Sequence, residues 1–365
     1  MNKYKICVYA ICKNEEKFVD RWMDSMTEAD KVIVLDTGST DNTVKELRKR
    51  GAKVNIKKFD PWRFDDARNK SLSYVPDDMD ICVCTDLDEV FRPGWRKRLE
   101  DAWIPGTTQA NYSYNWSLNS DGSPNVQFVY FKVHVKECYD WMCPVHEHLG
   151  FKATDKYPQE KKIFVDGMIL DHFPDDSKSR SSYLPLLEKA VEERPDDDRM
   201  MYYLGREYMY VGRWNDCIKT MERHLDLPTA RWKEERCAAM RWMAKGYEQL
   251  GDNNKAYEVY YKAIAEVPGM RDAYIECAKM AYNLGDWEIV LFMTNEALKI
   301  KEKSGVYVNM GYSWDYNPDD LAAIANYRLG NYEESLIHAE RALEYAKEDE
   351  RLINNVKLIK LQCNS

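Results

Sequence analysis

The sequence predicts a mostly parallel α/β domain followed by an all-α domain built from helical repeats. Short β-rich runs alternate with amphipathic segments up to about residue 175, which is the pattern of βαβ units in a parallel sheet. After about residue 180 the β-rich runs disappear, and glycines recur between pairs of helical segments. Because 365 residues exceed one ordinary core, we predict two domains, over residues 1–178 and 179–365.

The first half of the chain predicts the elements of the α/β domain in order. Apolar and β-branched runs predict four strands, over residues 5–12, 31–36, 53–59 and 80–86. Amphipathic segments between them predict three helices, over residues 16–26, 40–50 and 65–75. Aromatic side chains alternate with other types between residues 109 and 135, and these stretches predict strands added at one end of the sheet.

The second half repeats a pattern of paired helices. The turn within each pair is predicted at a glycine, and the aligned glycines are Gly212, Gly251, Gly285 and Gly330. Buried positions are predicted eight residues before each turn, at Leu204, Met243, Cys277 and Ala322. The pattern resembles tetratricopeptide repeats, with an insertion at residues 304–319. Stacked helix pairs present a surface to another molecule, and either a polypeptide acceptor or a second copy of the chain fits that expectation.

Composition excludes several classes of protein. A net charge of −9 and an isoelectric point near 5.4 argue against nucleic acid as the main partner. No apolar run approaches the roughly 18–20 residues of a transmembrane helix, and the first residues lack the pattern of a signal peptide. The ten cysteines are scattered, without a CxxC pair, as in intracellular proteins. We therefore expect a soluble, cytoplasmic protein.

Acidic residues follow several of the predicted strands. Asp36 ends the second strand, Asp86 and Asp88 follow the fourth, and Glu15 follows the first. The carboxyl ends of parallel strands meet at one edge of a sheet, where ligands bind. Carboxylates crowded there repel one another, and a divalent cation relieves the repulsion. Since neither a GxGxxG motif nor a P-loop is present, the cleft is not predicted to bind a dinucleotide or to work as a Walker site.

Several short motifs occur in an order that resembles a known enzyme family. The motifs are Asn14-Glu15-Glu16, Asp36-Thr37-Gly38-Ser39-Thr40-Asp41, Ala67-Arg68-Asn69, Asp86-Leu87-Asp88-Glu89, Val145-His146-Glu147 and Asp171-His172. Over roughly residues 5–175 the chain resembles family 2 glycosyltransferases of the GT-A fold, and in particular the bacterial branch with lipopolysaccharide-core glucosyltransferases. The repeat tail is similar to that of enzymes that glycosylate peptide cysteines, of the sublancin type.

The resemblance implies a role for each matching residue. Ala10 and Glu15 would border the nucleotide base, Asp36 would bind uracil or its ribose, and Arg68 would lie near the diphosphate. Asp86 and Asp88 match the DxD motif, and with His172 they would hold Mg²⁺ or Mn²⁺, ions that prefer hard oxygen ligands. The donor would be a nucleotide sugar, with uridine diphosphate as carrier, and the acceptor a glycan, peptide or protein. From the residues alone, Arg68 has an alternative: an ion pair with Asp65 or Asp66.

An inverting transferase also needs a general base opposite the leaving group. We expect Glu147 in this role, with His146 as the alternative or as its orienting partner. Two other functions remain open from the sequence. A nucleotidyltransferase shares the α/β platform and the acidic metal site, but the segment after the first strand has no glycine. A non-catalytic scaffold, with the repeats as its working part, is the second.

Overall fold

The computed structural model describes residues 3–119, 121–175 and 183–363. The chain divides into two compact units, which meet in the sequence at Ala190 and Val191. The boundary that we predict between residues 178 and 179 lies outside the described residues.

The N-terminal unit contains a large sheet flanked by helices, and the predicted α/β class is confirmed. Its strands are β1 (Ile6–Cys12), β2 (Lys31–Asp36), β3 (Lys53–Ile56), β4 (Ile81–Cys84), β5 (Glu89–Phe91), β6 (Gln109–Leu118), β7 (Pro124–His134), β8 (Tyr139–Met142), β9 (His148–Phe151) and β10 (Lys162–His172). Its helices are α1 (Val19–Met26), α2 (Thr43–Lys49), α3 (Phe64–Ser73), α4 (Trp95–Ala102) and α5 (Tyr183–Glu193), the last of which runs across the division between the units.

The sheet has eight strands in the order β3-β2-β1-β4-β7-β6-β10-β5, and β8 and β9 form a small second sheet. Neighbours β3, β2, β1 and β4 are all parallel, as are β6 and β10. The long aromatic hairpin β6–β7 joins them through antiparallel pairs, so the strands predicted between residues 109 and 135 are present. They lie inside the sheet, between β4 and β10, and not at one end of it as predicted. Every residue of β1 is buried, because this strand lies inside the parallel part of the sheet with both faces covered.

The second helix is shorter than predicted. It begins at Thr43 rather than at residue 40. The carboxylate of Asp36 accepts hydrogen bonds from the amides of Gly38 and Ser39, and Asp41 accepts one from the amide of Thr43. These side-chain bonds hold the residues after β2 in turns and compete there with helix formation.

The C-terminal unit consists of antiparallel helix pairs and confirms the predicted repeats. Its helices are α6 (Asp198–Tyr210), α7 (Trp214–Asp226), α8 (Lys233–Gln249), α9 (Asn253–Glu266), α10 (Arg271–Leu284), α11 (Trp287–Lys299), α12 (Asn317–Arg328), α13 (Tyr332–Tyr345) and α14 (Glu350–Cys363). Each aligned glycine has a positive φ, between 73° and 82°, at the turn within a pair. A left-handed residue ends the first helix of each pair, and glycine adopts this conformation without strain.

The predicted insertion is also present. Residues 300–316, between α11 and α12, contain only one short 3-10 turn, Gly311–Ser313. Among the described residues, none of the helices combines the length and the apolar character that a bilayer crossing requires.

Candidate active site

Asp88 and His172 lie next to each other although they are distant in the sequence. Asp88 follows β4, and His172 is the last residue of β10, opposite Glu89 of β5 in the antiparallel register. The amide of Phe173 donates to the carbonyl oxygen of Asp88 at 2.8 Å, which fixes the two segments together. As a result His172 Nε2 is 3.6 Å from Asp88 Oδ2, and both side chains are largely shielded from solvent.

The ring of His172 is held in a defined tautomer. Its Nδ1 is 3.1 Å from the carbonyl oxygen of Trp116, an atom that only accepts hydrogen bonds. Nδ1 must therefore carry the proton, and in the neutral ring Nε2, which faces Asp88, has a free lone pair. Burial lowers the pKa of His172, but the Asp88 carboxylate outweighs it, so that the pKa is raised above its ordinary value.

The Asp88–His172 pair has the chemistry of a partial metal site. Metal-binding histidines typically donate their second ring nitrogen to a carbonyl or carboxylate, as His172 does. Within the described ranges, no cluster of three or more histidine, cysteine, aspartate or glutamate side chains is placed to hold a metal ion. Mg²⁺ in nucleotide enzymes usually takes one or two protein ligands and completes its shell with phosphate oxygens and water. The two residues fit an ion of that kind, which the substrate helps to bind.

Asp86, the first acid of the motif, has different neighbours. Arg68 Nη2 is 2.8 Å from its Oδ1, and Lys132 Nζ is 2.9 Å from its Oδ2. Burial disfavours the charged carboxylate, but the two cations hold the pKa of Asp86 far below its ordinary range. Its side chain nevertheless remains 32% exposed, so it is accessible from the cleft.

Asp86 and four other side chains form one ionic network. Arg68 bridges Asp86 and Glu147, and Lys132 lies between Asp86 and Glu89, whose Oε1 is 3.7 Å from Nζ. Burial raises the pKa of Glu89 to about 7, although Lys132 opposes this shift. The carboxylates of Asp86 and Glu147 keep Arg68 charged, since they raise its pKa well above the ordinary value despite burial. The cations thus offset the repulsion between the acids.

Arg68 does not have the alternative partners expected from the sequence. Asp65 is paired with Arg63 at 2.8 Å, and Arg68 points instead to Asp86 and Glu147. The side chain of the next residue, Asn69, donates to and accepts from the main chain of Trp141, at 2.9 and 2.8 Å. These bonds fix α3 against β8 and so fix the position of Arg68. With only 3% of its surface exposed, Arg68 has little contact with solvent.

The predicted base and its neighbour lie in the connection between β8 and β9. Glu147 has a 10% exposed side chain and accepts a hydrogen bond from Arg68 Nε. His146 has a φ of 49° and stacks on Tyr183, with ring centroids 5.6 Å apart. A positive φ at a residue other than glycine stores strain and is most frequent at functional sites. Through their shared partner Arg68, Glu147 and Asp86 belong to the same ionic network, although the two residues are distant in the sequence.

The residues predicted to bind the nucleotide lie around the same edge of the sheet. Asp36, only 1% exposed, ends β2 and binds its own turn through the Gly38 and Ser39 amides. Ala10 is fully buried in β1, and its carbonyl oxygen accepts a hydrogen bond from a serine of α3. Glu15 is also buried, and its amide donates to the side chain of Thr43. Their nucleotide-binding roles stay predictions.

Two cations of the site are missed by the sequence reasoning. Lys132 lies on β7, on the same face of the strand as Tyr130 and His134. Its place in the alternating pattern indicated that its side chain points inward. Arg21 on α1 lies over the ring of Phe173 at 3.9 Å. Burial lowers the pKa of Arg21, and the nearby Asp88 carboxylate opposes that shift. Arg21 is exposed, unlike Arg68.

A family model matches part of the N-terminal unit. Residues 7–130 match the family model described as Glycosyl transferase family 2, which confirms the resemblance carried by the motifs within that range. This part of the chain is similar to family 2 glycosyltransferases, and the match supports a glycosyltransferase activity. No match is found among curated proteins.

Solved structures with some likeness to parts of the chain include two tetratricopeptide repeat proteins and one synthase. A thermophilic tetratricopeptide repeat protein from Thermus thermophilus is 18% identical, over 50% of this chain and 90% of that one, with a TM-score of 0.36. A tetratricopeptide repeat protein from Parabacteroides merdae is 18% identical, over 50% of this chain and 67% of that one, with a TM-score of 0.39. Glucosyl-3-phosphoglycerate synthase from Mycobacterium tuberculosis, crystallised with Mn²⁺, uridine diphosphate and glucosyl-3-phosphoglycerate, is 26% identical over 31% of this chain and 45% of its own, with a TM-score of 0.27. Likenesses with TM-scores this low carry no inference about activity.

Proposed function

We propose that the protein transfers a sugar from a nucleotide diphosphate sugar, with uridine diphosphate as carrier, to a glycan, peptide or protein acceptor. The observation that carries this proposal is the Asp88–His172 pair, with Nε2 and Oδ2 3.6 Å apart and the tautomer fixed by Trp116. The pair lies where β4 and β10 end, and ligands of parallel sheets bind at the carboxyl ends of their strands. The match of residues 7–130 to family 2 glycosyltransferases supports a donor's pyrophosphate as that ligand. We place the activity in the cytoplasm.

Asp88 and His172 would hold Mg²⁺ or Mn²⁺. When bound, such an ion neutralises the charge that develops on the departing nucleoside diphosphate. Asp88 supplies a hard oxygen ligand, and His172 supplies the Nε2 lone pair. The metal role predicted for Asp86 is less favoured, because both of its carboxylate oxygens are already bound by Arg68 and Lys132.

The resemblance implies that Arg68 lies near the donor's diphosphate, and in this proposal Arg21 and Lys132 share the binding of the donor with it. Arg21, exposed beside Asp88, is suited to the donor's phosphates, since a guanidinium binds phosphate oxygens in a fork. Arg68 and Lys132 hold Asp86 in place with its carboxylate facing the cleft. Asp86 then accepts hydrogen bonds from hydroxyl groups of the donor, which restricts how the sugar can lie. The predicted nucleotide-binding residues shape the part of the edge that takes the base, and they are Ala10, Glu15 and Asp36.

Glu147 is the base in this proposal. The ion pair with Arg68 orients its carboxylate, so that it can accept the proton of the acceptor's nucleophile. In a single displacement the nucleophile bonds to the anomeric carbon as the bond to the diphosphate oxygen breaks, which inverts the configuration. His146, whose ring stacks on Tyr183, positions the Glu147 main chain.

Replacement of Asp88 by alanine tests the proposed function. We expect the variant to lose hydrolysis and transfer of every nucleotide sugar in a panel with Mn²⁺, by at least about a hundredfold. Asp101→Ala is the matched control, because Asp101 is an exposed acid on α4 paired with Lys97. Circular dichroism checks that both variants are folded. Turnover in Asp88→Ala equal to that of the wild type would refute the proposal.

A further inference from the structure

The segment that contains α2 and β3 is strongly basic in a chain whose net charge is −9. Between residues 45 and 58 the sequence has a single acid, Glu46. The cations of this segment are all exposed, and they are Lys45, Arg48, Lys49, Arg50, Lys53, Lys57 and Lys58. Lys31, which begins the neighbouring strand β2, is also exposed. Because β3 is the end strand of the sheet, we call this set of eight cations the basic edge.

Most lysines of the basic edge have no anion beside them. Lys49 pairs with Glu46 at 3.1 Å, and Arg50 pairs with Asp20 at 3.4 Å and with Asp24. Among the residues that the structure describes, no carboxylate lies within ion-pair distance of the remaining lysines of the edge, which are Lys31, Lys45, Lys53, Lys57 and Lys58. An exposed array of like charges of this kind attracts a partner with many negative charges.

A groove of about 440 Å³ opens on the basic edge, where α1 and α2 end and where β2 and β3 begin. Its lining combines buried apolar side chains with cations, namely Met23, Met26, Ile33, Lys31, Arg50 and Lys53. Asp30, an acid that also lines the groove, is bound by Arg96 at 2.8 Å. The groove thus offers apolar and positively charged surface to the same ligand, which suits an anionic amphiphile.

The end strand adds an exposed apolar side chain between the cations. Ile56, the last residue of β3, is 57% exposed, and Lys57 and Lys58 follow it directly. Nucleic acids are bound chiefly through the charge of their phosphates, so Ile56 would add little to their binding. At a bilayer surface lysines lie among the headgroups, while an apolar side chain is buried below them. The basic edge therefore has the character of a surface that meets an anionic bilayer.

We propose that the basic edge docks on a membrane surface that contains anionic lipids. The lysines without ion-pair partners lie against the headgroups, Ile56 enters the boundary between headgroups and acyl chains, and the groove receives one headgroup between Lys31 and Lys53. The groove lies where β2 and β3 begin, whereas Asp88 and His172 lie where strands end. Docking does not depend on the glycosyl transfer proposed for the same domain.

Cosedimentation of the full chain with lipid vesicles, at low ionic strength, tests the surface. The wild type should bind vesicles with about 30% phosphatidylglycerol in phosphatidylcholine at least about tenfold more tightly than vesicles of phosphatidylcholine alone. Sodium chloride at about 0.5 M should remove most of that difference, because salt screens exposed charges. The triple variant Lys53→Gln, Lys57→Gln, Lys58→Gln should bind the anionic vesicles at least about tenfold more weakly than the wild type.

Ile56→Ser separates a membrane from other polyanions. It should weaken binding to the anionic vesicles by about threefold or more without any change of charge, since serine cannot replace the apolar surface that is buried on docking. The matched control for the triple variant replaces Lys97, Lys262 and Lys299 by glutamine, which removes the same charge from exposed lysines that are each paired with an acid. We expect it to change the affinity less than about twofold.

Three results would overturn the proposal. The first is equal binding of the wild type to the two kinds of vesicle, and the second is binding as tight as that of the wild type by the triple variant or by Ile56→Ser. The third is binding of oligothymidylate or oligoglutamate as tight as that of the anionic vesicles, which would make the edge a surface for polyanions in general. Should the triple variant not fold by circular dichroism, Lys31→Gln combined with Lys45→Gln replaces it in the same assay, with the same direction expected and the same result counting against the surface.

Discussion

Two buried cations hold the Asp86 carboxylate from opposite sides, and their roles differ in a way that mutation can separate. Arg68 connects Asp86 to Glu147, whereas Lys132 connects Asp86 to Glu89. Removal of one partner from a buried ion pair leaves an uncompensated charge, which costs more than the pair contributes.

Lys132→Met therefore should lower the free energy of unfolding by about 3 kcal/mol. The lost ammonium leaves Asp86 with Arg68 alone, and Glu89 without its cation. Lys162→Met is the control, because Lys162 is half-exposed on β10 and pairs with Glu160 at 3.0 Å. Its loss should cost less than about 1 kcal/mol. Urea unfolding followed by circular dichroism measures both, and equal stability of the two variants would show that the network does not stabilise the fold.

Glu147→Gln should reduce turnover of the nucleotide sugar by about a hundredfold or more while leaving nucleotide binding intact. Glutamine keeps an oxygen that can accept from Arg68 Nε but cannot take a proton. Glu137→Gln serves as control, since Glu137 is half-exposed and its carboxylate is 3.8 Å from Lys156. A wild-type turnover number in Glu147→Gln would move the base role to another residue, with His146 next.

The sequence predicts which strand ends carry acids but not which cations balance them. Acidic residues after β2 and β4 are predictable because a strand's carboxyl end is visible in the local pattern. The role of Lys132 is not predictable from the local pattern, because its contact with Asp86 depends on the antiparallel register of β4 and β7. For the same kind of reason Arg68 pairs with Asp86 and Glu147 rather than with Asp65 or Asp66, the alternative that the sequence left open: Arg63 takes Asp65, and tertiary packing brings in Glu147.

At the scale of secondary-structure elements, helix α8 carries a carboxyl group whose titration affects stability. Burial raises the pKa of Glu235 to about 7, and the hydrogen bond from Tyr307 opposes this only in part. In the unfolded chain a glutamate titrates near 4.3. Between these values the folded protein keeps a proton that the unfolded chain releases, so stability must fall as the pH rises through this window.

Glu235→Gln should remove that part of the pH dependence. The wild type should lose up to about 3 kcal/mol relative to the variant between about pH 4.5 and about pH 7, with no further divergence at higher pH. The urea midpoint of unfolding is measured for both proteins at each pH across this range. Contributions from other groups such as Glu89 cancel in the difference between the two midpoints. Parallel curves for the two proteins would mean that Glu235 titrates normally in the folded state.

The turn glycines show why the repeats are the most predictable elements. Each of them needs a left-handed backbone, and each is followed by a second helix at a similar distance. These are local requirements, so they are visible in the sequence. The contacts of residues 304–313 with α8 and α10 are not local, and the sequence indicates only that an insertion is present there.

At the scale of the whole molecule, the proposed metal ligands come from distant parts of the N-terminal sequence. Asp88 follows β4, whereas His172 ends β10, and only the completed sheet places their atoms 3.6 Å apart. The unfolded chain has no such site. A metal and a nucleotide that bind this pair must therefore stabilise the folded state by mass action, by about 2.7 kcal/mol when the ligand is about a hundredfold above its dissociation constant.

This linkage predicts a stability change that needs no acceptor and no turnover. Uridine diphosphate with Mn²⁺ should raise the unfolding temperature of the wild type, and chelation by EDTA should abolish the metal-dependent part of the increase. In His172→Ala and Asp88→Ala that part should be lost, whereas His338→Ala should keep it, because His338 pairs with Asp319 in the repeat unit. Stabilisation of His172→Ala by Mn²⁺ and uridine diphosphate equal to that of the wild type would exclude His172 as a ligand. Of the two proposed ligands, Asp88 would then bind the metal without His172, the residue that β10 brings next to it.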